Sequence, residues 1–176
     1  ISRHTNAFKI NEDVVIPLER LADYSRAIER INIEQSIANK QRILEALQDY
    51  VETEMPEARD WPGFEDSAES QAILEAKRGA GRQVLEEAHR RWGQILALLD
   101  APASDQAHLL GEPEQALVKA GDSLLDLLLR RDLRQSLRQE VRQRLDEIFS
   151  GQDMAGVRER LAAIHAGAES IAQRTD

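Results

Sequence analysis

Apolar residues recur at every third or fourth position along most of this chain, and few helix-breaking residues interrupt them. The seam Leu125, Leu129, Leu133, Leu137, Val141, Leu145 and Ile148 is the clearest case. Such spacing follows the 3.6-residue turn of an α-helix and conflicts with the two-residue period of a strand. Only nine Gly and five Pro are spread over 176 residues, too few for a turn-rich β fold. The chain is therefore expected to be all-α.

Four helical passes are predicted. Pro17 suits the first position of a helix, where its missing N–H is not needed. Leu18, Leu21, Tyr24, Ile28 and Ile31 then form one stripe, and Ile33, Ile37, Leu44, Leu47 and Val51 continue it on a shifted face. This predicts one helix of about 35 residues with a stutter near Asn32, ending before Met55-Pro56. A second helix runs from about Ser67 to Leu99 on the seam Leu85, Ala88, Trp92, Ile95 and Leu99. Gly79 and Gly81 weaken its middle, and mark a kink or a close crossing with another helix. A third pass runs from Pro113 to Phe149, with an interruption at Gly121. Asp153 caps a last helix with the seam Met154, Val157, Leu161, Ile164, Ala168 and Ile171. The expected architecture is an elongated antiparallel bundle of about four long helices. Residues 1–16 are the exception: Phe8, Ile10, Val14, Val15 and Ile16 are β-formers closed by Pro17, which predicts a short extended N-terminal arm. The domain division is thus 1–16 for the arm and 17–176 for the bundle.

Charge narrows the partners. With 23 Lys and Arg against 32 Asp and Glu, the net charge of −9 opposes a nucleic-acid-binding surface, which needs clustered cations to displace counterions. No run approaches the ~20 apolar residues of a membrane span. The absence of cysteine excludes disulfides, thiolate metal ligands and a cysteine nucleophile within this stretch. The chain starts at Ile1 without a signal-peptide pattern, and is expected to be part of a longer polypeptide, cytoplasmic or peripheral at the inner membrane face.

Few residues suggest chemistry. Glu86 and His89 have the Glu-x-x-His spacing of di-iron bundles, but neither His108 nor His165 completes a second pair, so an exposed helix face is the expectation and no metal site is assigned. Gly79-Ala80-Gly81-Arg82 lacks the Lys-Ser/Thr of a phosphate loop. Arg130, Arg131, Arg134, Arg138, Arg142 and Arg144 alternate with Asp132, Glu140 and Asp146, the pattern of a solvated, ion-paired helix face; a patch for an acidic partner is the alternative. Trp61-Pro62-Gly63-Phe64 is expected to pin a loop over the end of the bundle, with a partner-docking tip as the alternative.

The run His4-Thr5-Asn6-Ala7-Phe8-Lys9-Ile10-Asn11-Glu12-Asp13-Val14-Val15-Ile16-Pro17-Leu18 is the most informative. It resembles the strand in the cap domain of FAD-linked oxidases related to D-lactate, glycolate and D-2-hydroxyglutarate dehydrogenases, where an acidic pair, a short apolar strand and a Pro precede a helix. Continued through Asn39-Lys40, it is similar to the very large bacterial flavin-linked oxidoreductases that also carry iron–sulfur domains. The resemblance covers under a quarter of the chain. It departs from the family in two ways: the Gly/Asp/His-rich motif that follows the cap helix is missing before Asp176, and so are the glycine-rich loops of the flavin domain. The resemblance implies a helical insertion in the cap of a parent flavoenzyme. FAD and iron–sulfur clusters would be bound outside this segment, and the substrate would be a small 2-hydroxy acid. It nominates Lys9 for contact with the substrate carboxylate, the other reading being a solvated lysine. Asp13 is expected to hydrogen-bond at the strand end. No catalytic, cofactor-binding or metal residue is assigned within the segment. A non-enzymatic helical module that binds another protein is the alternative.

Overall fold

The structure is a computed structural model that describes residues 7–10, 14–60, 64–65, 67–134 and 136–175, with backbone alone for 7–16, 19 and 172–175. Helix dominates, as the apolar period requires. The N-terminal segment is a two-stranded antiparallel hairpin instead of one strand: β1 (Ala7–Ile10) pairs with β2 (Val14–Pro17), Lys9 opposite Val15 and Ile10 opposite Val14. Pro17 ends β2 and does not open a helix; a 3-10 turn at Leu18–Arg20 separates it from α1 (Leu21–Val51). Pairing the two strands satisfies backbone groups that a lone strand would leave to water.

Helix α1 runs unbroken through Asn32, followed by the short α2 (Pro56–Arg59) and the long α3 (Ala68–Ala97). Ser67 caps α3 by accepting from the Ser70 N–H, as the sequence suggests. Beyond it lie α4 (Glu112–Gln115) and α5 (Leu124–Leu129), then a π-helical turn (Arg138–Arg142) that continues into α6 (Gln143–Ile148), and finally α7 (Ala155–Thr175). The third pass is thus broken twice. Gly121 has a positive φ of 84°, and Arg131 adopts a φ of 64° just past the end of α5. The second break carries no Gly or Pro, so the unbroken Leu125–Ile148 seam concealed it.

The chain divides into two compact units, Ile1–Gln35 and Ser36–Asp176. Within the second unit the helices pair antiparallel. Glu52, Glu45 and Gln41 of α1 and its end meet Arg82, His89 and Gly93 of α3 in reverse order. Gly81 of α3 meets Leu145 and Phe149, whereas Arg91 and Trp92 meet Glu140. One core gathers Leu44, Leu47, Val51, Leu85, Val141, Leu145, Phe149, Val157 and Leu161, all fully buried. The predicted seams supply ten of its seventeen buried residues; Leu74, Val84 and Phe149 are among those they miss. Arginines close the helix ends: Arg78 of α3 donates to the carbonyls of Val51 and Glu52 at the end of α1, and Arg158 to those of Phe149 and Gly151 after α6. Carbonyls of the last turn have no partner within their own helix, and a cation is favoured there. Gly81 marks a close helix crossing, because a Cβ there would lie 3.1 Å from the Phe149 ring.

Candidate functional site

Lys9 lies on β1, its backbone paired with Val15; its side chain lies outside the described residues, as do His4, Glu12, Asp13, Trp61, Pro62 and Gly63. Phe64 is half-buried and lines a small cavity with Leu74 and Met154. Gly79-Ala80-Gly81-Arg82 sits in the middle of α3, where the backbone N–H groups serve the helix and cannot cradle a phosphate. His89 pairs with Glu45 of α1 across 3.2 Å, on a partly exposed face. His108 is exposed. Among the described residues no group of three or more metal-ligating side chains converges.

The arginine-rich run does not act as one face. Arg130 pairs with Asp122 and Asp132 over 2.6–3.1 Å. These bonds and the Lys119 N–H hold the Asp122 carboxyl down to about 2. Glu140 turns toward α3, accepting from Arg91 and from the Trp92 indole, each at 2.9 Å. Arg91 also lies over the Trp92 ring at 5.0 Å and donates to the Leu109 carbonyl. A cavity of about 380 Å³ opens beside this cluster, but its charged groups already pair with one another: Glu114 is 3.6 Å from Arg91 and accepts from the Gly111 N–H. This cluster fastens the loop after α3 to the π-helical turn.

A second cavity, of about 450 Å³, is different. It lies between the π-helical turn with α6 on one side and α7 on the other, lined by Arg138, Arg142, Asp146, His165 and Glu169. Arg142 Nε, Asp146 Oδ1 and His165 Nδ1 are buried there without a hydrogen-bond partner. They are the buried side-chain polar atoms left unpaired among the described residues, and all three belong to residues lining this one cavity. The three atoms are enclosed although their residues are only half-buried, so whatever fills the cavity, water included, is what can pair them. Burial lowers the His165 pKa, with Arg142, Arg138 and Lys40 adding to the effect against Glu169, so the imidazole is neutral at pH 7. Burial also lowers the pKa of Lys40, opposed by Glu140 and Glu169.

No family model, curated protein or solved structure matches this chain. Its site therefore stands on its own geometry. Sequence reading weighed His165 only as a metal ligand and assigned Arg142 to a solvated face. The usable signal was the four-residue spacing of Arg142 with Asp146 and of His165 with Glu169, which puts each pair on one side of its helix. That α6 and α7 turn those sides toward one cavity is a tertiary fact.

Proposed function

We propose that this chain is a helical insertion in the cap of a flavin-dependent oxidoreductase, joined to the strand that leads into it. The parent would oxidise a 2-hydroxy acid of the D-lactate kind by hydride transfer to FAD, and electrons would leave through iron–sulfur centres. The observation that carries this reading is the run His4–Leu18, in which an acidic pair, an apolar strand, Pro17 and a helix follow in order. Two structural features support it. The run His4–Leu18 falls within one compact unit, Ile1–Gln35, and the resemblance continues a few residues past its end. Leu18, Ile28 and Ile31 of that unit are 48%, 39% and 61% exposed, an apolar stripe suited to packing against the rest of a parent enzyme.

The residues here do not fit the redox groups themselves. The larger cavities are lined by arginine, glutamate and histidine, unlike the apolar slot that an isoalloxazine needs, and the chain has no cysteine for a cluster. FAD and the clusters would lie in other parts of the polypeptide, in a cytoplasmic protein or one peripheral to the inner membrane face. Residues 36–176 would form an antiparallel four-pass bundle that shapes the cap without joining the chemistry. Among the described residues no helix is long and apolar enough to cross a membrane.

The rival is a free-standing helical interaction module, favoured by the single core that residues 43–161 build by themselves. Isolating the native polypeptide with an antibody against this chain separates the two. A yellow protein larger than 19.9 kDa that reduces an acceptor dye on addition of D-lactate or a related 2-hydroxy acid supports the flavoenzyme. A colourless polypeptide without dye reduction overturns it.

A further inference from the structure

We propose that the cavity between the π-helical turn and α7 binds a small hydroxycarboxylate, its carboxylate on Arg142 and its hydroxyl on Asp146. The three unpaired buried atoms define the ligand. Arg142 Nε can only donate, and an ionised Asp146 can only accept, so the occupant must offer both an acceptor and a donor. His165 is held neutral, so its Nδ1 takes either role according to tautomer. A plain carboxylate would satisfy Arg142 and leave Asp146 Oδ1 unpaired. An alcohol would satisfy Asp146 and leave the guanidinium without a counter-charge.

Charge selects among ligands that have both groups. Arg138 and Arg142 line the cavity as cations and Asp146 and Glu169 as anions, so the lining charges cancel. Lys40 of α1 does not line the cavity but acts on His165, and leaves one positive charge to be met. A hydroxycarboxylate carries one negative charge and cancels it, whereas a zwitterionic amino acid matches the hydrogen bonds but leaves the excess. The volume of about 450 Å³ falls within the range of small-molecule sites. The backbone is also irregular here. Gln143 N–H donates to the Arg138 carbonyl, five residues back, and this widened turn carries both Arg138 and Arg142 on the cavity wall. Such π turns gather at functional sites. In the cluster around Arg91, on the same turn, Arg91, Glu114 and Glu140 pair with one another.

The inference rests on these atoms and not on the flavoenzyme reading, so either can fail alone. It is tested on the 176-residue chain by following the His165 imidazole resonances by NMR during titration with lactate, propionate, alanine, methyl lactate and inorganic phosphate. Lactate is expected to give a saturable shift at His165, with propionate, alanine and methyl lactate each at least about tenfold weaker, as the loss of a hydrogen bond to a charged group or of the charge itself requires. Asp146→Asn, which keeps the side-chain shape, is expected to remove the preference for lactate over propionate. No saturable shift with lactate would mean that water alone fills the cavity and would overturn the proposal. Equal binding of propionate or phosphate, or a preference that survives Asp146→Asn, would overturn it as well.

Discussion

At Arg131 the backbone takes a left-handed φ of 64° that an arginine adopts only at some cost. The position is the residue after the cap of α5, with Arg131 N–H on the Leu128 carbonyl and Asp132 N–H on the Leu127 carbonyl, the paired bonds of a Schellman ending. Glycine is the usual residue there, so Arg131→Gly is expected to stabilise the fold by up to about 1 kcal/mol despite the added freedom of the unfolded chain. Thermal melting that drops by several degrees would contradict that account. Gly79 and Gly81 make a second comparison on one helix. A Cβ at Gly79 meets nothing within 4 Å, so Gly79→Ala should add about 1 kcal/mol of helix propensity and raise Tm by roughly 2–4 °C. At Gly81 the same Cβ comes within 3.1 Å of the fully buried Phe149 ring. Gly81→Ala should therefore lose most or all of that gain to overpacking. Equal melting gains in the two variants would show that the α3–Phe149 contact gives way freely.

Among the elements, the six-residue α5 is held at both ends by acidic side chains, which ties it to pH. Ser123 and Asp126 exchange side-chain-to-backbone bonds at its start, while at its end Arg130 reaches back to Asp122 and forward to Asp132. The Asp122 carboxyl titrates at about 2, below the ordinary aspartate value of 3.8. A depressed carboxyl gives its stability in full above the unfolded value, and loses it as pH falls through the folded one. Stability should therefore decline between about pH 4 and pH 2 in step with Asp122 protonation, followed by NMR of its carboxyl carbon. Asp122→Asn should flatten that part of the stability profile, and an unchanged profile would remove Asp122 from the acid response. The short pieces of the third pass were not legible in advance. Its seam is continuous, whereas the break at Arg130–Arg131 carries ion pairs from Arg130 to Asp122 and Asp132, eight and two positions away, which an apolar period does not register, and is followed by the buried Leu133.

At the scale of the molecule, the buried core seen among the described residues lies within Ser36–Asp176. A chain begun at Ser36 is expected to keep one cooperative melting transition, because removing the first 35 residues leaves every member of that core in place. Loss of cooperativity would show that the hairpin and the first half of α1 contribute to the core. If the chain belongs to the proposed flavoenzyme, Lys9→Ala in that enzyme is expected to raise KM for its 2-hydroxy acid by roughly tenfold to a hundredfold, the effect of about 1.5–3 kcal/mol of charged hydrogen bonding, with little change in kcat. Steady-state kinetics unchanged by the substitution would return Lys9 to an ordinary surface lysine.

What the sequence determined by itself was local. Apolar spacing placed α1, α3 and α7, named most of the buried residues, and located the start of α3 near Ser67 and the Gly121 break, since each depends on neighbours within a few positions. The second strand of the hairpin, the Arg131 turn and the π-helical turn needed tertiary structure, because pairing, ion pairs and core burial overrode a continuous pattern. The cavity at His165 belongs to the same class. Its residues come from α6 and α7, nearly twenty positions apart in the case of Asp146 and His165, and their period says only which side of each helix they occupy. Only the packing of those two helices puts a donor, an acceptor and a neutral imidazole around one space, because that depends on how buried side chains elsewhere set the two helices against each other.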